Sequence, residues 1–135
     1  MNNSILLVDD DAELLKALAK VLEKDGYAVV AKPDARSAMQ HITESKQRFD
    51  LVITDVFMPR MSGTAFLAAF KAAFPAVPVI VITAFGDWDT YQQALRDGAF
   101  AYLNKPLDRA ELRATIRRAL ARPPPGPPAP PSPEH

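Results

Sequence analysis

Apolar residues follow two alternating patterns along the chain. Five short apolar runs, rich in β-branched residues, occupy residues 5–8, 28–31, 51–53, 77–83 and 99–103. Such runs are typical of strands that are buried on both faces of a sheet. After each run, apolar residues recur three and four positions apart, as they do on one face of a helix. The pattern therefore predicts five strands that alternate with five helices.

Capping aspartates, glycines and prolines indicate where these helices begin and end. An aspartate stands where four of the helices start, and its side chain can accept a hydrogen bond from the first backbone N–H groups. These candidates are Asp11, Asp34, either Asp87 or Asp89, and Asp108. Glycine or proline ends three helices, at Gly26, Pro75 and Gly98. The third helix is predicted to bury a stripe formed by Phe66, Leu67, Phe70 and Phe74.

Alternating strands and helices predict an α/β fold with a doubly wound parallel sheet. Right-handed crossovers place helices on both faces of such a sheet, and all strand-to-helix loops emerge at its carboxyl edge. Open α/β sheets build their binding sites at that edge. Four strand ends carry polar residues there, namely the acidic run Asp9, Asp10 and Asp11, then Asp55, Thr83 and Lys105. We expect these side chains to form one site around Asp55.

Composition narrows the class of protein. The 135 residues are 48% apolar, which is enough for the core of one domain, predicted over residues 1–122. The formal net charge is zero, so no bulk attraction to nucleic acid or membrane is expected. The absence of cysteine excludes disulfides and thiolate chemistry, and the N-terminus lacks the features of a signal peptide. These features predict a soluble, cytoplasmic protein.

The order of the polar motifs resembles a known family. An Asp9-Asp10 pair follows the first strand, Asp55 begins the pattern D-x-x-M-P-x-x-S-G, Thr83 precedes a small alanine, and Tyr102 lies three residues before Lys105-Pro106. Together these motifs resemble the receiver domain of bacterial two-component response regulators over residues 5–120. The resemblance implies a flavodoxin-like fold, with five parallel strands in the order 2-1-3-4-5.

The resemblance also implies a phosphoacceptor site. Asp55 would accept the phosphoryl group from a sensor histidine kinase or a histidine phosphotransfer protein. An ionised carboxylate that attacks an anionic phosphoryl group needs positive charge from elsewhere, and Mg²⁺ prefers oxygen ligands of this kind. Mg²⁺ or Mn²⁺ would bind Asp10, Asp55 and the backbone carbonyl of Phe57, with Asp9 contacting the ion through water.

Three further residues have roles that the resemblance implies. Lys105 would pair with Asp55 and then with a phosphoryl oxygen. Thr83 would donate its hydroxyl to the phosphoryl group, which leaves room for Tyr102 to turn inward. Pro106 would follow a cis peptide bond that sets the direction of Lys105. The change would reach the face formed by the fourth helix, fifth strand and fifth helix, where an effector or a second receiver would bind. No direct binding of nucleic acid or membrane is expected.

Structural explanations exist for the same residues. Acidic residues before a helix commonly cap it, a threonine in a strand reflects β-propensity, and Lys-Pro is common in loops. Arginines at positions 109, 113, 117 and 118 suit a solvated helix face that pairs with Asp108 or Glu111. His41 is expected to be exposed and inert. The coincidence of four motifs at one sheet edge favours the functional interpretation.

Two other classes of function share parts of this residue pattern. A magnesium-dependent aspartyl-phosphate phosphatase of the haloacid dehalogenase type needs a second aspartate two residues after the first, where this chain has Phe57. A phosphorylation-independent interaction module would not need Asp10, Asp55, Thr83 and Lys105. Phe57 and Phe85 are large and apolar at positions that border the path of the hydrolytic water in the family. This departure predicts slow spontaneous loss of the phosphoryl group.

The last segment differs sharply from the rest of the chain. Residues 123–135 contain eight prolines in thirteen residues, which cannot build a core and favour the polyproline II conformation. We expect a linker or a disordered tail. A proline-rich ligand for an aromatic groove is the alternative.

Overall fold

The five apolar runs form one parallel sheet in a computed structural model that describes residues 3–55, 63–84 and 88–121. The strand order is β2-β1-β3-β4-β5, as predicted. Strands and helices alternate along the chain with the following bounds: β1 Ser4–Val8, α1 Ala12–Lys24, β2 Ala28–Lys32, α2 Ala35–Ser45, β3 Leu51–Asp55, α3 Gly63–Ala73, β4 Val79–Thr83, α4 Trp88–Arg96, β5 Ala101–Asn104 and α5 Arg109–Leu120.

The sheet separates two apolar cores. Leu15, Leu18 and Leu22 of α1 and Ile116 of α5 pack on one face of the sheet. Residues of α2, α3 and α4 pack on the other face, with Phe66 at the centre. Every residue of β3 and β4 is buried, because these strands have a neighbour on each side and helices above and below. This arrangement confirms the doubly wound fold and sets β3 at the centre of the sheet.

Three of the predicted helix caps are confirmed. The carboxylates of Asp11, Asp34 and Asp108 accept hydrogen bonds from backbone N–H groups in the first turns of α1, α2 and α5. The fourth helix begins at Trp88, so Asp89 lies inside its first turn and is not the cap. Asp87 lies outside the described residues. Three acidic caps therefore fix where the strand-to-helix loops end.

Two strands start later than predicted. Val77 N–H donates to the Phe74 carbonyl in a turn, and Pro78 has no N–H, so β4 begins at Val79. Ala99 N–H donates to the Ala94 carbonyl as α4 ends, which delays β5 until Ala101. In both places the turn after a helix uses backbone groups that apolar patterning alone assigned to a strand.

The predicted burial of Phe74 is wrong. Phe66, Leu67 and Phe70 are buried as expected, whereas Phe74 is 36% exposed. It lies one residue beyond the end of α3, with its N–H still donating to the Phe70 carbonyl. The helical spacing continues to this position, but the core does not.

Candidate functional site

Strand register brings the first acidic run beside Asp55. In the pairing of β1 with β3, Val8 lies opposite Thr54. Each of these residues is followed by an aspartate, so Asp9 and Asp55 leave the sheet side by side. Because parallel strands point the same way, this pairing places both carboxylates at the carboxyl edge.

The register of the next strands adds Lys105 to the same edge. Asp55 pairs with Ile82, and Thr83 pairs with Asn104 at the end of β5. Lys105 follows directly, and its backbone N–H donates to the Thr83 carbonyl over 2.8 Å. The Lys105–Pro106 peptide bond is cis, as the resemblance implies. Residues distant in sequence thus meet because consecutive strands end at the same level.

The Lys105 ammonium joins two buried carboxylates. Lys105 Nζ lies 2.7 Å from Asp9 Oδ2 and 2.9 Å from Asp55 Oδ2. The other Asp9 oxygen, Oδ1, accepts a hydrogen bond from the Asp11 N–H over 2.9 Å. Asp9 is fully buried and Asp55 is only 4% exposed. Pairing with Asp55 was predicted, but the direct contact with Asp9 was not.

Burial and pairing change the acidity of this cluster. Burial raises the pKa of Asp9, although the hydrogen bond from Lys105 and that from the Asp11 N–H oppose the increase. For Lys105, burial lowers the pKa, but the hydrogen bonds to Asp9 and Asp55 outweigh it and the net pKa is raised. Lys105 therefore carries its positive charge throughout the neutral range.

Three carboxylates at this edge form a set of oxygen ligands. One oxygen each from Asp9, Asp10 and Asp55 lies within 4.8 Å of the other two. Asp10 is exposed whereas the other two are buried, so the cluster opens to solvent on the Asp10 side. An oxygen-only donor set that is partly open suits Mg²⁺, which retains several waters. The predicted third ligand, the Phe57 carbonyl, lies outside the described residues.

Thr83 and Tyr102 lie between this cluster and α4. Thr83 is fully buried at the end of β4, and the Tyr102 hydroxyl oxygen is buried as well. The Tyr102 ring meets the Tyr91 ring edge-on, with centroids 5.3 Å apart. Tyr91 in turn stacks on Trp88 at 5.5 Å. A continuous row of three aromatic rings thus runs from β5 to the surface of α4.

The surface of α4 exposes apolar side chains. Trp88 is 67%, Leu95 44% and Tyr91 36% exposed, at spacings of three and four residues along one side of the helix. A row of this size on a small domain is typical of an interaction surface. The fourth helix was predicted to be part of the partner face, and these three side chains form its exposed apolar row.

The predicted arginine pairs are partly corrected. The Arg113 guanidinium donates to both carboxylate oxygens of Asp25, over 2.9 and 3.3 Å. Its partner is therefore the C-cap residue of α1, and not Asp108 or Glu111. Arg118 donates to the Thr115 hydroxyl over 3.3 Å. Arg113 thus joins α5 to the end of α1.

Comparison with known proteins identifies the class. Residues 5–117 match the family model of the response regulator receiver domain. The chain belongs to this family, and it is a receiver domain of the two-component response regulator type. None of the helices in residues 3–55, 63–84 and 88–121 is long and apolar enough to cross a membrane.

Relatives at the sequence level include a transcriptional regulatory protein and a response regulator protein. The chain is 43% identical over 120 residues to the transcriptional regulatory protein ZraR of Escherichia coli K12, covering 89% of this chain and 27% of that protein. It is 38% identical to the response regulator protein FleR of Pseudomonas aeruginosa, covering 90% of this chain and 26% of FleR. The chain therefore spans about a quarter of the length of these relatives.

Solved receiver domains have the same fold. A CheY-like receiver domain protein from Methanospirillum hungatei superposes with a TM-score of 0.84 at 29% identity, over 89% of this chain and 94% of that one. The beryllofluoride-activated NtrC4 receiver domain dimer superposes with a TM-score of 0.80 at 33% identity, over 87% and 95% of the two chains.

Proposed function

We propose that Asp55 is the phosphoacceptor and that the phosphoryl group comes from a sensor histidine kinase or a histidine phosphotransfer protein. The observation that carries the proposal is the position of Lys105 Nζ, 2.9 Å from Asp55 and 2.7 Å from Asp9 in a largely buried cluster. A carboxylate held by an ammonium at the carboxyl edge of a central strand is placed to react with an incoming anion.

In the transfer, an Asp55 oxygen forms a bond to phosphorus while the bond from phosphorus to the donor's imidazole nitrogen breaks. The imidazole takes up a proton from solvent as it leaves. The Lys105 ammonium pairs with the carboxylate beforehand and with a phosphoryl oxygen afterwards. Thr83, at the end of the adjacent strand β4, donates its hydroxyl to a second phosphoryl oxygen.

Asp10, Asp55 and the Phe57 carbonyl would hold Mg²⁺ or Mn²⁺, and Asp9 would contact the ion through water. The closeness of the three carboxylates supports this assignment, because oxygens within 4.8 Å of one another repel unless positive charge lies among them. The bound cation supplies charge that neutralises the phosphoryl oxygens. Asp9 also touches Lys105 directly, so it shares its charge between the cation and the ammonium.

Tyr102 couples phosphorylation of Asp55 to the surface of α4. A phosphoryl group that draws the Thr83 hydroxyl towards it favours the inward position of Tyr102. Tyr102 contacts Tyr91 and through it Trp88, so its position biases α4. We place the partner surface on α4, β5 and α5, where the exposed apolar row of α4 supports an effector or a second receiver as the partner. The NtrC4 receiver domain is described as a dimer, which supports a second receiver as one kind of partner.

The domain boundaries and the location are part of the same proposal. The receiver domain spans residues 1–122, and residues 123–135 form a proline-rich linker or a disordered tail. Response regulators act with histidine kinases and effectors, and for this chain the particular kinase and effector stay open to experiment. The cytoplasmic location stays a prediction. The tail lies outside the described residues, as do Phe57 and Phe85.

Incubation with acetyl phosphate and Mg²⁺ tests the proposal against both alternatives. Transfer predicts a stable mass gain of one phosphoryl group, with acetate released as the by-product. A phosphatase of the haloacid dehalogenase type would instead release phosphate continuously, and a phosphorylation-independent module would do neither. Either of these two outcomes would contradict the proposal.

A further inference from the structure

An apolar groove of about 400 Å³ lies at the amino edge of the sheet, opposite to Asp55. It is formed where α2 and α3 end and where β3 and β4 begin. Phe49, Phe70, Phe74 and Pro75 line it together with three polar residues, Gln47, Arg48 and Asp50. Its volume lies within the range of pockets that bind small ligands and peptides.

Hydrogen bonds fix one wall of the groove. Lys71 Nζ donates to the carbonyls of Pro75 and Val77, each over 2.9 Å, and so ties the loop after α3 to the helix. The ring of the exposed Phe74 packs against the buried Phe70, with centroids 5.0 Å apart. The aromatic wall is therefore preformed, which lowers the conformational entropy that the protein loses when a ligand binds.

The groove has the chemistry that recognises proline-rich chains. Polyproline II segments dock in aromatic-lined grooves because their conformation is already extended and rigid. Proline has no backbone N–H, so its residues present only carbonyl acceptors on the main chain. Gln47 and Arg48 carry N–H donors at the rim, and Gln47 Oε1 is held 2.8 Å from His41 Nε2. His41, predicted to be exposed, is in fact half-buried against Phe49.

The chain itself contains a segment of this chemistry. Residues 123–135 are rich in proline and begin two residues after Ala121, the C-cap residue of α5. Helices in a parallel α/β fold run opposite to the strands, so α5 ends at the amino edge, as the groove requires. The path from one helix layer to the other is about 20 Å, two helix diameters. Thirteen residues at the polyproline rise span about 40 Å.

We propose that the proline-rich segment Pro123–His135 binds in this groove of its own chain. Attachment to the same chain gives the segment an effective concentration of about 1 mM, so a dissociation constant of about 1 mM for the groove leaves half of the molecules docked. Glu134, near the end of the segment, provides a negative charge that complements Arg48. The proposal concerns the edge opposite to Asp55 and stands independently of phosphorylation.

A spin label on the full chain tests the proposal. The chain contains no cysteine, so Ser132→Cys carries a single nitroxide at the end of the segment. Broadening of amide NMR signals then reports which residues the label approaches. Docking predicts strong broadening at Arg48 and Ala76 beside the groove, and little at Glu13 in the first turn of α1, which lies at the opposite edge.

Two variants and one mixed sample decide the result. Phe74→Ser, at an exposed position, lowers the affinity of the groove for the segment tenfold or more. The docked fraction then falls from about a half to about a tenth, which is a fivefold loss of broadening. Replacing the eight prolines of the segment by serine has the same effect and leaves the folded domain untouched. Equal broadening at both edges, or broadening that survives in both variants, would overturn the proposal. So would broadening between spin-labelled and separately ¹⁵N-labelled chains, which would mean docking onto a second copy.

Discussion

Replacing Lys105 by methionine separates the contribution of the Lys105 ammonium to the acidic cluster from that of a bound divalent cation. The change removes the ammonium that lies within 2.9 Å of both Asp9 and Asp55 and keeps most of the side-chain volume. Without divalent cation, two buried carboxylates are left with no counter-ion. Methionine is therefore expected to destabilise the metal-free protein strongly.

The size of the effect follows from the burial of the cluster. Breaking a buried ion pair by removing one partner costs about 3–5 kcal/mol. The Lys105 side chain is 17% exposed, which admits some solvent, so we expect about 3 kcal/mol, the lower end of that range. For a domain of this size that corresponds to a decrease in Tm of about 12 °C.

Mg²⁺ is expected to reverse much of this loss. At ten times its Kd, a ligand that binds only the folded state stabilises the parent by about 1.4 kcal/mol, or about 5 °C in Tm. Lys105 and a cation bound by the carboxylates would repel each other, and for a single charge and a dication about 6 Å apart in water the repulsion is about 1.4 kcal/mol, which is tenfold in affinity. At the same Mg²⁺ concentration the variant should therefore gain about 2.7 kcal/mol, or about 10 °C.

Thermal unfolding followed by circular dichroism, in EDTA and across a Mg²⁺ titration, measures both effects. Lys20→Met is the matched control, because Lys20 is exposed on α1 about 12 Å along the helix from its first residue. It should change neither Tm nor its dependence on Mg²⁺. The reasoning is refuted if Lys105→Met unfolds like the parent in EDTA, or if Mg²⁺ raises the Tm of both proteins equally.

Three further predictions concern separate parts of the molecule. Because the pKa of Asp9 is raised, the folded state binds the Asp9 carboxyl proton more tightly than the unfolded state does. The stability that this proton contributes is therefore present below the unfolded pKa of 3.8 and is lost as pH rises through the folded pKa. Asp9→Asn should therefore gain stability relative to the parent between pH 4 and pH 7 in the metal-free protein, because the amide removes the cost of burying a charge while Lys105 keeps Asp55 as its partner. Denaturant unfolding at both pH values would contradict this if the difference between variant and parent did not change in that direction. Gly98→Ala should cost more stability than Gly26→Ala. Both glycines have a positive φ, 97° at Gly98 and 99° at Gly26, so both variants share a backbone strain of about 1–2 kcal/mol. An added Cβ at residue 98 would also lie 3.3 Å from Lys71 Cε, whereas one at residue 26 would meet nothing within 4 Å, so equal urea midpoints would exclude the extra contact. Phe57→Asn should shorten the lifetime of the phosphorylated protein roughly tenfold or more by adding a polar group that orients water, and an unchanged rate of phosphate release would count against the role given to Phe57.

Local chemistry in the sequence was enough to predict the strands, three helix starts and the meeting of Asp9, Asp55 and Lys105 at one edge of the sheet. Short β-branched runs identified all five strands, and the capping aspartates at 11, 34 and 108 located three helix starts. Asp9, Asp55 and Lys105 come together because parallel strands expose their carboxyl ends at one edge. Strand order needed the family resemblance, since alternation alone permits several orders.

What the sequence could not provide depends on tertiary geometry. The contact of Lys105 with Asp9 follows from register, which places Val8 level with Thr54 and is not encoded in either strand alone. The Arg113–Asp25 pair joins residues 88 positions apart, and no local pattern indicates it. Phe74 continues the helical period past the point where the core ends, so periodicity alone placed it inside.

Phosphorylation of Asp55 can be measured directly by peptide mass spectrometry. The parent and Asp55→Asn are treated with acetyl phosphate and Mg²⁺, digested, and compared for a phosphoryl group on the peptide that contains residue 55. Our account predicts the modification on that peptide in the parent and its loss in Asp55→Asn. A parent protein modified at another residue, or an Asp55→Asn protein labelled at the parental rate, would contradict it.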